Sequence, residues 1–419
     1  MKPSAMTARA TRAIAGVAGL GILALLGAFI VSRVSADQSC AEPIRANTLA
    51  RLHPGAGPDK WRIGEPVRYE NLSIFPLISK SETDTSRFET LDEGLASGDV
   101  LVTEQGNEIL RRSRDGRPIP TPAYNSGAAV NQLVLINRGK RPVLLLAGEL
   151  VSGGNQDRIV GKDRIVPIGG EPLPLDVFCV EHGRWTGEST KFGAANLMVH
   201  PSVREKAAVE SDQQQVWNAV RVGSTAAAAP SGADQSVGIL GGGSAGGTAH
   251  AAAPPAALSQ SVIVSTIQAD APTQAYKKIY QSPQISKPVD EFAGEVRRRF
   301  ARATSGLKGE AVVGVVVAYG GEVAWSDAFA SPDLFKQYWP KLLRSYVVEA
   351  LARPATKEEA SLDDARGFLE HASGHVREES EPGVYVWRER TEGQYSEIEL
   401  DSLAPGTVLL HWMKVLRTN

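Results

Sequence analysis

Short apolar runs separated by turn residues dominate the order of hydrophobic and polar positions along the chain. Residues 67–77 alternate as one strand, and residues 130–136 and 143–146 flank a polar turn, which predicts a β-hairpin. Two more strands are predicted at residues 165–168 and 173–180. Because short turns rather than helices connect these runs, the pattern favours antiparallel pairing.

Helical spacing occurs in three places. Thr90 is expected to open a short helix that ends near Gly98, and residues 204–222 carry apolar side chains at near-helical intervals. The third helix follows a strongly β-branched hairpin. It is expected to begin at Ser331, because a serine followed by Pro332 is typical of a helix cap and first helical position.

The third helix carries a wide aromatic and aliphatic face that is expected to pack on the preceding hairpin, and Pro340 is expected to kink or restart it. The chain then ends in strands at residues 384–388, 395–400 and 408–416, the last of which is expected to pair inside a sheet. Together these elements predict an α+β fold, with mainly antiparallel sheet and packed helices.

The N-terminus has the pattern of an export signal. Three basic residues precede an unbroken apolar run over residues 13–31, and a small-residue cleavage pattern ends at Ala36. The run is also close to the length that spans a bilayer, so residues 1–36 are interpreted as a signal peptide or as a membrane anchor. Both alternatives place the body of the protein outside the cytoplasmic membrane. If the segment is cleaved, the protein is periplasmic or secreted, and if it is not, residues 13–31 anchor the protein in the membrane.

The composition indicates a folded globular body, with 42% hydrophobic and 22% charged residues. Without the leader, which contains four basic residues and no acidic one, the chain holds 41 basic and 47 acidic side chains. Nucleic-acid binding needs a basic face that replaces counterions, so this acidic balance argues against it. Membrane contact is expected only through the N-terminal segment.

The sequence contains two cysteines, Cys40 and Cys179. In an oxidising compartment they could form a disulfide that ties the N-terminal segment to a central strand. The alternative is that Cys179 is a free core residue, because the surrounding run at residues 177–180 has the pattern of a buried strand.

Residues 224–258 are almost entirely Ala, Gly, Ser and Pro, and we interpret them as a disordered insertion or a linker between two domains, because they offer little apolar surface to offset ordering entropy. The GxGxxG and GxSxG matches inside this tract lack the strand and helix that their functions require. His371 and His375 have the spacing of paired helical ligands, but a glycine lies between them and the HExxH glutamate is missing. Neither a metal nor a cofactor is predicted.

The densest group of polar side chains beside buried backbone lies between residues 143 and 185. A small-residue loop connects two apolar strands there, and the second strand ends in a further polar stretch. The candidate site residues are Glu149, Asn155, Gln156, Arg158, Glu181, His182, Arg184 and Trp185.

Several segments of the chain, the first two of them in this region, resemble a bacterial family, the ADP-ribosylglycohydrolase and rhodanese-phosphatase associated domain. The resemblance rests on residues 148–158, 179–185, 213–217 and 339–346, and it extends over residues 63–352. It implies one large domain, with halves at residues 63–223 and 259–419. The segment before it, residues 37–62, is expected to have little regular secondary structure. The family name implies a link to ADP-ribose or nucleotide-derived metabolites.

One hypothesis is a binding or sensor domain for a small anionic ligand. Arg158 and Arg184 would bind a phosphate or carboxylate through their planar guanidinium groups. Asn155 and Gln156 would select the ligand by hydrogen bonding, while Trp185 would stack on it.

A second hypothesis is a hydrolase, in which Glu149 or Glu181 acts as general base with His182 as its acid–base partner. The alternative to both is a structural cluster. In that arrangement Glu149 would form an ion pair with Arg158, and Glu181 would form another with Arg184.

Overall fold

A closed six-stranded barrel and a nine-stranded antiparallel sheet form the framework of the fold. The computed structural model describes residues 60–80, 83–104, 132–182, 191–222, 274–354, 356–370 and 372–418. Outside these residues lie the predicted leader, Cys40, the Ala/Gly/Ser/Pro-rich tract at residues 224–258, Arg184, Trp185 and His371.

The strands in chain order are β1 (Arg62–Ile63), β2 (Val67–Tyr69), β3 (Leu72–Ser79), β4 (Glu89–Thr90), β5 (Val100–Glu104), β6 (Gln132–Asn137), β7 (Val143–Leu145), β8 (Glu149–Gly153), β9 (Arg158–Val160), β10 (Arg164–Val166), β11 (Pro172–Cys179), β12 (Glu181–His182), β13 (Lys191–Met198), β14 (Gln274–Ala275), β15 (Ala311–Tyr319), β16 (Glu322–Phe329), β17 (His375–Glu381), β18 (Tyr385–Glu392), β19 (Tyr395–Ser402) and β20 (Val408–Leu416).

The helices are α1 (Leu91–Ser97), α2 (Pro201–Glu205), α3 (Gln213–Val222), α4 (Lys278–Gln281), α5 (Pro283–Thr304), α6 (Pro332–Ala352) and α7 (Leu362–Leu369), and a π-helical segment, Lys206–Glu210, follows α2. Among the residues described, no helix is both long and apolar enough to cross a bilayer.

The barrel closes in the order β11-β6-β5-β13-β8-β9. The nine-stranded sheet has the order β1-β3-β15-β16-β20-β19-β18-β17, and β2 also pairs with β3. Two smaller sheets, β10-β7-β4 and β12-β14, complete the strand pairing, and β4 pairs with β7 in parallel. The fold is therefore α+β with mainly antiparallel sheet, which confirms the predicted class.

Three apolar clusters stabilise these layers. The largest one joins α5 and α6 to one face of the nine-stranded sheet and to the outside of the barrel, and Phe292, Tyr338 and Tyr346 lie in it. A second cluster fills the barrel, and a third lies under α7 on the other face of the sheet, around Phe75 and Trp412. The packing of α6 therefore places one helix against both the sheet and the barrel.

Several local predictions are confirmed. Thr90 and Glu93 form a capping box at the start of α1, and Gly98 ends it in the left-handed conformation. Ser331 Oγ accepts a hydrogen bond from the Leu334 amide and caps α6. The hairpin of β15 and β16 forms as expected. The terminal strand β20 pairs inside the sheet, between β16 and β19.

The predicted hairpin at residues 130–146 is wrong. β6 pairs with β5 and β11 in the barrel wall, whereas β7 pairs with β10 and β4. Both strands are apolar on both faces and need partners on both sides, so the turn between them does not decide their pairing. Asn137 redirects the chain instead, because its side chain binds the Arg141 carbonyl at 2.9 Å and the Val166 carbonyl at 3.3 Å.

One strand and one helix that were predicted to be continuous are each interrupted in the structure. Glu70, with a φ of 51°, breaks the expected strand at residues 67–77 into β2 and β3. Ser211, also with a φ of 51°, ends the π-helical segment and divides the helix expected at residues 204–222. By contrast, α6 continues through Pro340 without a restart.

Candidate functional site

The predicted site residues lie at the two ends of one barrel strand, β8. Glu149 begins β8 and Gly153 ends it, and Asn155, Gln156 and Arg158 follow beyond the second end. A strand advances about 3.3 Å per residue, so the two ends of β8 are about 13 Å apart. The structure therefore divides the predicted cluster into two groups with different surroundings.

Three polar side chains form a layer inside one end of the barrel, which we call the barrel-end layer. Glu104, Arg158 and Cys179 continue the inward-facing alternation of the apolar residues in β5, β9 and β11. Arg158 and Cys179 are direct cross-strand partners. All three side chains are buried.

The loop after β8 crosses directly over this layer. Gly154 has a φ of 53°, and a Cβ atom built there would lie 2.3 Å from the Phe192 ring and 2.7 Å from Glu104 Oε1. The Asn155 amide donates to Glu104 Oε1 at 2.9 Å. This close approach explains why position 154 is a glycine.

Hydrogen bonds fix the rest of the loop. Gln156 Oε1 lies 2.9 Å from the Cys179 thiol, and the Asp157 amide donates to Glu181 Oε2 at 3.0 Å. Lys277 forms an ion pair with Asp157 at 3.3 Å. Since Lys277 follows the undescribed residues 223–273 in the chain, the second half of the sequence helps to hold this loop.

Electrostatics in the layer favour a structural role. Burial lowers the pKa of Arg158, although the neighbouring Cys179, Glu104, Asp157 and Glu181 oppose that change. Burial raises the pKa of the Cys179 thiol by more than Arg158 lowers it. The thiol therefore stays protonated at neutral pH and is a poor nucleophile.

Cys179 is a free, buried cysteine. Its predicted disulfide partner, Cys40, lies outside the described residues, so the disulfide has no support in the described part of the chain. Gln213 binds both backbone groups of Cys179, with distances of 2.8 Å to the amide and 2.9 Å to the carbonyl. The alternative interpretation of Cys179 as a free core residue agrees with this environment.

The other end of β8 lies beneath a cleft between α1 and α6, which we call the α1/α6 cleft. Its volume is about 500 Å³. It is lined by Thr90, Asp92, Glu93, Ala96, Asn196, Gln337, Pro340, Lys341 and Arg344. Glu149 lies behind this lining and contacts it through one residue, Lys341.

Lys341 forms the floor of the cleft. Its ammonium group donates to Asp92 Oδ2 at 2.6 Å and also to Glu149 Oε1. The second oxygen of Glu149 accepts the Leu146 amide at 2.7 Å. The expected ion pair between Glu149 and Arg158 is therefore wrong, because Arg158 pairs across the barrel wall with Val151, toward the opposite end of β8.

Burial alone would lower the pKa of Lys341, but the carboxylates of Glu149 and Asp92 outweigh it and raise the pKa. Burial raises the pKa of Glu149, and the favourable charge of Lys341 only partly offsets this effect. Lys341 therefore stays a cation at neutral pH. A protonated lysine is unsuited to imine formation but is well suited to holding negative charge.

Arg344 lies one turn beyond Lys341 on α6 and lines the same cleft. Its guanidinium group pairs with Asp290 at 3.0 Å and lies 5.1 Å from the centre of the Tyr280 ring. Its side chain is 27% exposed. On the facing side, the Asn196 amide donates to Asp92 Oδ1 at 3.2 Å. These contacts fix the positions of charged groups on both sides of the cleft.

Sequence reasoning did not identify the cleft. The signal that points to it is Lys341 itself, which lies three residues after Tyr338 on the apolar face of α6. A charged residue on such a face needs a buried partner. That partner, Glu149, is separated from Lys341 by 192 positions, so only the fold identifies the pair.

A second buried network joins the barrel to the nine-stranded sheet and was also missed. His411 lies between Asp163 at 2.5 Å and Asp327 at 3.0 Å. Asp327 also accepts from Arg204 at 2.8 Å and from the Tyr346 hydroxyl. All five side chains are buried and border neither the cleft nor the barrel-end layer.

The remaining predicted residues are placed as follows. Glu181 and His182 form β12 and pair with β14, and the Glu181 carboxylate binds the Asp157 amide. Within the described ranges, no group of three or more His, Cys, Asp or Glu residues is arranged to hold a metal ion.

Comparison with known proteins identifies the family. Neither the curated proteins nor the solved structures contain a match to the chain. The model of the ARG and Rhodanese-Phosphatase-superfamily-associated Protein domain matches residues 60–414, a range that includes the barrel-end layer and the α1/α6 cleft. The chain therefore belongs to the ARG and Rhodanese-Phosphatase-superfamily-associated Protein domain family.

Proposed function

We propose that the protein is an exported or membrane-anchored binding domain, and that the α1/α6 cleft takes a small ligand with an anionic group. The proposal rests on the position of Lys341. This residue is only 6% exposed, lines the cleft and forms ion pairs with two carboxylates. Charged groups buried beside a concave surface are a general sign of a functional site.

The chemistry of Arg344 supports an anionic group in the ligand. One of its terminal nitrogen atoms pairs with the exposed Asp290, and its Nε is buried without a hydrogen-bond partner in the described part of the chain. A guanidinium group is planar and suits the binding of a carboxylate or phosphate. A volume of about 500 Å³ is in the range of small-molecule sites.

The barrel-end layer has a different role in this proposal. Gln156 in the loop and Arg158 beneath it are both buried and bind neighbouring protein groups. We assign them to holding the loop and the barrel end rather than to contacting the ligand.

A binding experiment tests the proposal on the full chain, with inorganic phosphate as the probe and thermal unfolding as the readout. Phosphate binding to the native state should raise the melting temperature, because a ligand stabilises the state that it binds. Arg344→Gln should lose most of this rise. Arg366→Gln is the matched control, since Arg366 also pairs with a nearby aspartate but lies on α7, away from the cleft.

Equal phosphate-dependent shifts in the Arg344→Gln and Arg366→Gln proteins would contradict the proposal. So would the absence of a shift in the wild-type protein at millimolar phosphate. A large loss of stability in unliganded Arg344→Gln would instead indicate that Arg344 has a structural role.

A second proposal is a hydrolase in which Glu149 acts as the acid–base group. Burial raises the pKa of Glu149, the direction that suits a carboxyl group for general acid–base catalysis, and Lys341 links this group to the cleft. Glu181 belongs to the separate network around Asp157. With p-nitrophenyl phosphate as substrate, Glu149→Gln should abolish turnover and Glu181→Gln should retain it. Unchanged turnover in both variants would exclude this mechanism.

A further inference from the structure

We infer that the ligand of the α1/α6 cleft is a small zwitterion, which carries an ammonium group together with its carboxylate or phosphate. The inference rests on the proposed function and names the ligand class for the same site. It is based on the distribution of charge between the two walls of the cleft.

The two walls have opposite charge. Asp92 and Glu93 line the cleft from α1, and Lys341 and Arg344 line it from α6. The lining therefore has two acidic and two basic side chains, and Glu149 and Asp290 pair with the two basic ones from outside the lining, so the site has no excess of positive charge. A site for a simple anion is expected to have an excess of positive charge, whereas a balanced, divided site matches a ligand that carries both signs.

The inner pair of charges is already satisfied. Asp92 Oδ2 accepts from Lys341 at 2.6 Å, and Asp92 Oδ1 accepts the Asn196 amide at 3.2 Å. Lys341 donates its second hydrogen bond to Glu149. Breaking this buried network would leave uncompensated charges, so the ligand is expected to bind above it.

The outer pair still has unused capacity. Glu93 Oε2 accepts the Thr90 amide at 3.1 Å in the capping box, which leaves Glu93 Oε1 able to accept from a ligand. On the opposite wall, Arg344 pairs with Asp290 through one nitrogen atom, its Nε has no hydrogen-bond partner among the described residues, and its side chain is part-exposed. A ligand ammonium group at Glu93 and a ligand anion at Arg344 satisfy both groups together.

A ligand with only one charged group would be attracted by one wall of the cleft and repelled by the other. An anion without an ammonium group would approach Glu93, and a cation without an anionic group would approach Arg344. Like-charge contacts of this kind discriminate against the wrong ligand. The divided cleft therefore selects for the zwitterion by repulsion as well as by attraction.

The test is calorimetric titration of the full chain with three related probes, namely inorganic phosphate, ethanolamine and O-phosphoethanolamine. A charge-assisted hydrogen bond from the ammonium group should make O-phosphoethanolamine bind at least about tenfold more tightly than phosphate. A fourth probe, 4-aminobutyrate, tests whether a carboxylate replaces the phosphate. Tighter binding of either zwitterion supports the inference and identifies the anionic group.

Glu93→Gln separates the inference from the proposed function. Glutamine at this position retains the capping box, so the variant should fold. It should weaken O-phosphoethanolamine and remove its advantage, while phosphate should bind as tightly or more tightly because the repulsion from Glu93 is lost. Arg344→Gln should weaken both probes by about tenfold or more.

The outcomes are distinct. Phosphate binding that depends on Arg344, with no gain for either zwitterion or no effect of Glu93→Gln, would overturn the inference and leave the proposed function intact. Failure of every probe to bind the wild-type protein would overturn both.

Discussion

At the residue scale, Gly154 shows how tightly the central loop closes the barrel. Its φ of 53° belongs to the left-handed region, and its missing side chain leaves space for Phe192 and Glu104. In the sequence this segment is a small-residue loop, and its polar side chains are predicted to bind a ligand. Packing against the barrel interior, which is a non-local property, explains the glycine instead.

Gly154→Ala should destabilise the protein by about 2–5 kcal/mol, the sum of left-handed backbone strain and overpacking against Phe192. Urea unfolding measures this change. Gly193→Ala is the matched control, because the nearest atom to its added Cβ, the Ser152 carbonyl oxygen, is 4.0 Å away and its backbone needs no positive φ. Equal unfolding free energies for the two variants would contradict the described loop position.

At the element scale, signals that are local in sequence predicted the structure well. The capping box of α1, the hairpin of β15 and β16, and the serine cap of α6 each involve residues only a few positions apart. The partners of β6 and β7 were not predictable in this way. They pair with strands that are distant in the sequence, and the hydrophobic pattern of a strand does not identify such a partner.

The cleft was missed for a similar physical reason. Its walls come from α1 and α6, which are more than two hundred residues apart, and from Asn196 at an irregularity in β13. Each residue has an ordinary local explanation. Only the tertiary contact between Lys341, Asp92 and Glu149 distinguishes them.

The stability of α6 can be tested at Pro340, which lies in the interior of the helix and cannot donate the helical hydrogen bond expected there. Pro340→Ala should raise the unfolding free energy by about 1–2 kcal/mol, since alanine restores that bond while adding freedom to the unfolded chain. Pro332→Ala is the control, because proline suits the first helical position. The expectation fails if urea unfolding shows Pro340→Ala to be less stable than Pro332→Ala.

At the scale of the whole molecule, the buried histidine network connects the two β-structures. Asp163 follows β9 of the barrel, whereas Asp327 and His411 belong to neighbouring strands of the nine-stranded sheet. Asp163 also accepts the Ala147 amide at 2.8 Å. The network is therefore placed to couple the unfolding of the barrel to that of the sheet.

The network predicts a dependence of stability on pH. Burial alone would lower the pKa of His411, but Asp163 and Asp327 outweigh it and raise the pKa above its ordinary value of 6.5. A raised histidine pKa in the folded state stabilises the protein fully below about pH 6.5, and this stabilisation is lost as the pH rises through the folded-state pKa. Wild-type protein should thus lose stability as the pH rises from 6.5 through the folded-state pKa of His411.

Urea unfolding across that range should show a smaller loss for His411→Gln than for the wild type. Because this variant also removes buried hydrogen bonds, an NMR titration of the wild-type imidazole provides an independent measurement. A His411 ring that is neutral at pH 6.5, or identical pH slopes for both proteins, would contradict the assignment.

Anion binding in the α1/α6 cleft, beside Arg344 and Lys341, can be tested directly by crystallography. Crystals of the full chain soaked in low-millimolar arsenate, a heavier analogue of phosphate, locate the anion by anomalous diffraction. We expect a peak in the cleft within hydrogen-bonding distance of Arg344, and we expect it to be lost from Arg344→Gln crystals. An empty cleft in the wild type, or an unchanged peak in the variant, would contradict this expectation.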